Sequence, residues 1–279
     1  MSSTQTVPGT TAPPGSIWQL GLGLLLTPAV VAIACYALPS VKVGTSTGDA
    51  TAFAGATLFP ILGLSLAARC EVKLILALGV AATSATLLLA LILVQPPPIA
   101  TVLLVDTALV CLSWALGGSL GRRVQHPAHL FPACVVAASA DLVSLLSPEG
   151  PSHAIAKSER ALSVLAVWFP VPGSSALAPA LGVGDLLFIA VVFGVARAHG
   201  LPYARCVLAC AFGTALAGLA AAWSGLAVPA LVSIAAVLLL VLPAIRKLRR
   251  GDRRAARWSM LIASSVAIAT GARTLLGQF

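Results

Sequence analysis

An all-α polytopic membrane protein is predicted by three features of this sequence. Hydrophobic residues make up 59% of the 279 and charged residues only 9%, where a soluble globular domain carries about a quarter charged. Mean hydropathy is +1.01. The apolar residues also run in long blocks, and about 20 residues of helix cross a bilayer core of roughly 30 Å. Backbone groups in lipid must be paired internally, and the alternation of barrel strands is absent, so the spans are expected to be helices.

Taken in order, residues 1–16 are uncharged and rich in Thr, Pro and Gly, which predicts a disordered tail. They lack the basic n-region of a signal peptide, and the apolar run that follows, 17–38, is long enough to span and stay. Further spans are expected at 51–68, 73–94, 99–120 and 128–146. Their breaks are turn or charge signals: 42–49, Arg69-Cys70-Glu71, Gln95-Pro96-Pro97-Pro98 and 121–127. Residues 147–160 are polar. The stretch 161–170 is apolar but only ten residues long and ends at Pro170, Pro172 and Gly173. It is too short to cross and reads as a re-entrant or interfacial segment anchored by Trp168, and 161–173 suits a mobile lid. Spans are then expected from Asp185 to about His199, and over 203–223, 226–245 and 259–276. That makes about nine helices in one domain, in four parts: tail 1–16, N-terminal helices 17–127, core 128–245 with a connecting loop 147–181, and basic loop with final helix 246–279. Ala, Gly and Ser within the runs permit close helix approach, so most glycines read as packing positions.

The net charge of +9 does not point to nucleic acid, because seven of the seventeen Lys and Arg fall between Arg246 and Arg257. Such a juxtamembrane cluster reads as a cytoplasmic anchor on anionic lipid. Alternating outward from it over nine helices puts thirteen basic residues inside and leaves Lys42, Lys157, Arg160 and Arg273 outside. The loop 147–181 then faces outward, and the chain is expected in the cell inner membrane. The cysteines, Cys35, Cys70, Cys111, Cys134, Cys206 and Cys210, show no metal-ligand spacing and read as buried free thiols. His126 and His129 flank Pro127 without a third ligand. No metal and no cofactor are expected.

Of eight acidic residues, Asp49, Glu71, Glu149, Glu159 and Asp252 belong to loops, and Asp106, Asp141 and Asp185 lie in apolar runs. An ionised Asp in hydrocarbon costs roughly 2.5 to 3.5 kcal/mol on insertion scales, so function with a partner is the default reading. Asp106 sits mid-span and reads as an acid satisfied by a Ser, Thr or Trp of a neighbouring helix. Asp141 lies shortly before its helix ends and Asp185 shortly after its helix begins. At 1.5 Å rise per residue both fall roughly 5 to 9 Å inward from the shared loop. Two carboxyls in contact in a low dielectric cannot both ionise, so the pair would share a proton. That is acid-base machinery: the deprotonated member takes a proton from water while the other protonates a carbonyl or leaving amine. Gly182 and Gly184 remove side chains where another backbone is expected to approach the acid.

Three separated segments resemble the intramembrane aspartyl proteases of the presenilin and signal peptide peptidase type. Asp141-Leu142-Val143, running on to Ser147-Pro148-Glu149-Gly150-Pro151, is similar to the segment around the first catalytic Asp. Gly182-Val183-Gly184-Asp185 is similar to the family's Gly-x-Gly-Asp, and Pro229-Ala230-Leu231 to its Pro-Ala-Leu motif. One helix separates the last two, as in the family. The resemblance covers about 137–235. Ala140 stands where the family usually has Tyr, and Val232 where presenilins have Pro. Prepilin peptidases share Gly-x-Gly-Asp but lack the Pro-Ala-Leu helix.

The resemblance implies a presenilin-like catalytic core and an aspartic endopeptidase that cuts peptide bonds in or near transmembrane segments. Asp141, Asp185 and a water would do the chemistry. Gly182, Val183, Gly184, Pro229, Ala230 and Leu231 would form the active-site motif. Its substrates would be transmembrane proteins or signal peptides within the bilayer. A helix hides its amides in its own hydrogen bonds, so the substrate must unwind, pairing as a strand beside Pro229-Ala230-Leu231. Two other readings stay open: a proton-coupled transporter using the acids as a relay, and an inactive relative that binds helices without cutting. A transporter predicts internal repeats and a path to both faces. Neither is evident here.

Overall fold

The computed structural model describes residues 16–41, 45–94, 98–147, 150–224, 228–248 and 251–276. The expected tail lies outside the described residues except for Ser16, as do residues 95–97 and 148–149. Eleven α-helices and one β-hairpin are described. Four long helices come first: α1 (Ile17–Ala37), α2 (Thr45–Ala67), α3 (Leu74–Val94) and α4 (Pro98–Arg123). Then α5 (Leu130–Leu146) carries Asp141, and two short helices follow, α6 (Pro151–Lys157) and α7 (Glu159–Leu165). Strands β1 (Ala166–Pro170) and β2 (Leu177–Gly182) lead directly into α8 (Val183–Ala198). The chain continues through α9 (Tyr203–Ser224), α10 (Ala230–Val241) and α11 (Arg253–Leu276).

Six helices are long and apolar enough to cross a bilayer: α1 to α5 and α9. This is an integral membrane protein. Large apolar side chains such as Ile75, Leu93, Leu208, Leu219 and Ile268 lie exposed on its surface, an arrangement that suits lipid and not water. The three remaining expected spans differ from the six. Helix α8 has 16 residues and α10 has 12, about 24 and 18 Å at 1.5 Å per residue, short of the roughly 30 Å core. Helix α11 begins at Arg253, earlier than expected, and its first turns hold Arg253, Arg254 and Arg257.

Small residues bring α4 and α8 backbone to backbone. A Cβ on Gly117 would lie 2.5 Å from the Leu187 carbonyl oxygen, and Gly121 and Gly194 face backbone just as closely. The packing role expected of most glycines holds at this seam. Gly117→Leu forces the two helices apart, and an overpacked site of this kind costs about 1–3 kcal/mol or more. The expected result is a clear drop in the melting temperature of the detergent-solubilised protein; an unchanged melt would show that the seam yields.

The helix ends sort to two sides. At one side Arg197 Nη2 donates to the Arg69 carbonyl at 3.4 Å, His199 Nε2 lies 2.7 Å from the Val124 carbonyl, and Arg69 stands over the Tyr203 ring. His129 Nε2 and Asp252 Oδ2, 3.2 Å apart, fasten the start of α11 to the α4–α5 turn at the same side. At the other, Gly173 N–H donates to the Leu38 carbonyl at 2.9 Å and Arg160 Nε to the Ile92 carbonyl at 3.0 Å.

Residues 150–181 of the connecting segment are structured. Residues 161–170 are not one interfacial piece: 161–165 end α7, and Ala166–Pro170 form β1, antiparallel to β2. The turn between the strands closes with Val171 N–H donating to the Ala176 carbonyl at 2.9 Å, and Gly173 takes φ +80°, where a side chain would be strained. Val164, Val167 and Phe169 are buried, and Phe169 stacks on Phe59 of α2 with ring centroids 6.0 Å apart. The segment is therefore built into the core against α1, α2 and α4, and the lid expectation is corrected. Four of the five residues of β1 are buried, which leaves the strand no free face on which to swing.

Candidate active site

Asp141 and Asp185 come to one cavity of about 330 Å³, with Gly182, Val183, Gly184, Pro229, Ala230 and Leu231 also in its wall. The eight residues singled out in the sequence thus share one lining. How each acid is held follows from helix ends. The first N–H groups of a helix have no partner within it. Pro229 is the N-cap of α10, with φ −65° and ψ 117°. Two residues on, Leu231 N–H donates to Asp141 Oδ2 at 3.2 Å across 90 residues of sequence.

Asp185 solves the same problem at α8. It is the third residue of that helix, and its Oδ2 accepts from Gly182 N–H, the N-cap, at 3.1 Å. This is the acid half of a capping box; glycine has no side chain with which to make the reciprocal bond. Two helix N-termini therefore converge on the pair, and their partial positive charge favours one negative charge at the site. Both carboxyls line the same cavity. Each is held by a backbone N–H, and neither is held by the other.

The shortness of α8 and α10 now has a reason. Non-helical backbone at membrane depth is tolerated where it is buried in protein or lines a cavity. Both helices begin beside the cavity, and β2 with Val228-Pro229 supplies the irregular backbone that walls it.

The glycines act differently from the expectation. A Cβ on Gly182 would meet only Asp185 Oδ2, at 3.4 Å, and one on Gly184 would meet nothing within 4 Å. No backbone presses on either; Gly184 leaves part of the cavity open. Asp106 is fully buried on α4, away from this lining. Its Oδ1 accepts from Trp168 N–H at 3.1 Å. The expected partner is a side chain of a neighbouring helix; the donor found is the backbone of a strand.

Two further features lie outside the sequence expectations. Ser144, one turn beyond Asp141, donates its hydroxyl to Ser152 Oγ at 2.7 Å and accepts from Ser152 N–H at 2.8 Å, folding α6 back over the cavity. Ser152, Ile155, Leu162 and Leu165 then complete its wall. The second is the hairpin itself, whose signal is two short apolar runs around Val171-Pro172-Gly173. Among the described residues no group of His, Cys, Asp or Glu could hold a metal ion. No protein-family model matches the chain, and neither a curated protein nor a solved structure matches it.

Proposed function

We propose that this chain is an intramembrane aspartic endopeptidase of the presenilin and signal peptide peptidase type. One observation carries the reading: residues far apart in the sequence, Asp141, Gly182 to Asp185 and Pro229 to Leu231, line the same cavity. In this reading about nine helices lie in the membrane, with α8, α10 and α11 added to the six long ones. The core around the cavity is presenilin-like.

Hydrolysis needs a base and an acid on the two sides of one carbonyl. The ionised carboxyl of the pair takes a proton from water as the water oxygen attacks the carbonyl carbon of the scissile bond. The protonated carboxyl gives its proton to the carbonyl oxygen. When the tetrahedral gem-diol collapses, the carboxyl that had given up its proton takes one from a hydroxyl of the intermediate, the C–N bond breaks, and the other carboxyl protonates the departing nitrogen, so the pair again holds one proton. Which Asp plays which part is a property of the pair.

The substrate must present an extended peptide. The sheet has two strands, so β2 has one edge not taken by β1, and Pro179 to Gly182 of β2 line the cavity. A segment unwound from a substrate helix adds to that edge as a further strand, beside Pro229-Ala230-Leu231 and in line with both acids. Transmembrane proteins and signal peptides are substrates of that kind. Gly184→Leu adds a side chain at the open wall, where a Cβ meets nothing within 4 Å. It is expected to lower kcat/KM about tenfold or more by excluding the substrate chain, with the melting temperature unchanged; full activity would place the substrate elsewhere.

The direct test is reconstitution of the purified protein in liposomes with single-span peptides, reading new termini by mass spectrometry. Cleavage inside the apolar span is expected. Proton uptake into the liposomes without any cleavage would instead favour a proton-coupled transporter, and binding with neither an inactive relative.

A further inference from the structure

Asp106 is the third acid of the apolar runs and, among the described residues, the one acid that is buried outright, and the hydrolytic scheme gives it no task. It is 0% exposed, and among the described residues its Oδ2 has no hydrogen-bond partner. An apolar side chain would fill the place without the cost of a buried carboxyl. What the carboxyl adds is the single bond to Trp168 N–H.

That bond falls at a particular place in the hairpin. The register of β1 on β2 shifts between Val167 and Trp168: Val167 lies opposite Leu181, but Trp168 lies opposite Pro179. Proline has no N–H to give to the ladder. The rest of β1 is held by its ladder to β2 and by apolar contacts such as Phe169 on Phe59, but where the register shifts the ladder alone does not set the place of Trp168. A hydrogen bond at the irregularity fixes it, and a slip of one residue would turn every side chain of the strand to its other face. β2 ends at Gly182, and α8, with Asp185 in its first turn, begins at the next residue.

We infer that Asp106 is a positioning residue: by accepting from Trp168 N–H it sets the register of the hairpin, and so which bond of a substrate strand meets Asp141 and Asp185. The inference rests on the protease reading for its second half only. The acceptor oxygen matters and the charge does not, so Asp106→Asn keeps the function and Asp106→Leu loses it.

The test compares wild type, D106N and D106L in two measurements. Hydrogen exchange read by mass spectrometry over 164–182 reports the hairpin without any need for activity. Loss of one hydrogen bond is expected to speed exchange there about tenfold in D106L, with D106N like wild type. Cleavage of a single-span peptide reports register. For D106L, kcat is expected to fall about 10- to 100-fold with KM little changed, and cuts to spread to neighbouring bonds; D106N keeps one pattern. If D106L does not accumulate, D106A removes the same acceptor without added bulk and is read in its place. Wild-type exchange and products in the apolar variant would overturn the inference, as would D106N behaving like D106L. If exchange responds as stated but no protein cleaves, wild type included, the protease reading fails and the hold on the hairpin stands.

Discussion

Asp141→Asn and Asp185→Asn are each expected to abolish cleavage of a single-span peptide, a loss of at least about 10³-fold, the scale of positioned acid-base catalysis. The amide cannot take a proton from water or pass one to a carbonyl. It can do the structural half of the work: its carbonyl oxygen accepts from Leu231 N–H or Gly182 N–H as the carboxyl does at 3.2 and 3.1 Å. Both variants should therefore insert, elute as the wild type does and melt within a few degrees of it. This separates chemistry from folding, which alanine would not, because alanine leaves a helix N-terminus without its acceptor. Wild-type turnover in either variant would sink the two-acid mechanism. A proton-coupled transporter, by contrast, would lose proton flux in these variants and yield no products at any stage.

The helices and the acids are legible in the sequence because their physics is local. An apolar block of the right length has few alternatives in a chain this hydrophobic, and six such blocks fold as helices long enough to span. A carboxylate in such a block is costly wherever it stands, and that cost alone singles out Asp141, Asp185 and Asp106. The capping role of Asp185 is also local, since Gly182 and Asp185 are three residues apart.

What is not legible is set at a distance. Four of the five residues of β1 are buried, so the strand shows no alternation, and a short apolar run of that kind cannot be told from a helical or interfacial piece by period. The bond from Asp106 to Trp168 spans 62 residues and ends on a backbone amide, which no side-chain pattern records. The brevity of α10, by contrast, has a local cause that the expected span over 226–245 passes over. Pro229 is its N-cap and Pro243 follows its last turn, and proline at both limits bounds a helix of 12 residues within what otherwise reads as a full span.

Glu159→Cys is expected to react with a membrane-impermeant maleimide in intact cells, and Gly251→Cys only after the cells are permeabilised. Both positions are exposed, and both are to be read in a background whose other cysteines are replaced. The expectation follows from charge. Arg69 in the turn after α2, Arg122 and Arg123 at the end of α4, Arg197 at the end of α8 and Arg205 at the start of α9 lie at one side of the bundle, and the His129–Asp252 contact brings the start of α11 to the same side. Such an excess is retained in the cytoplasm. The cavity lies toward the other side, with the hairpin and the Arg160–Ile92 contact, so the acids would act in the outer half of the membrane. In the protease reading, a substrate cut there would release its outer fragment away from the cytoplasm. The opposite labelling pattern would invert the protein in the membrane and the fate of its products. The chemistry of Asp141 and Asp185 would be unaffected, because it depends on the two helix N-termini that hold them and not on which compartment supplies the water.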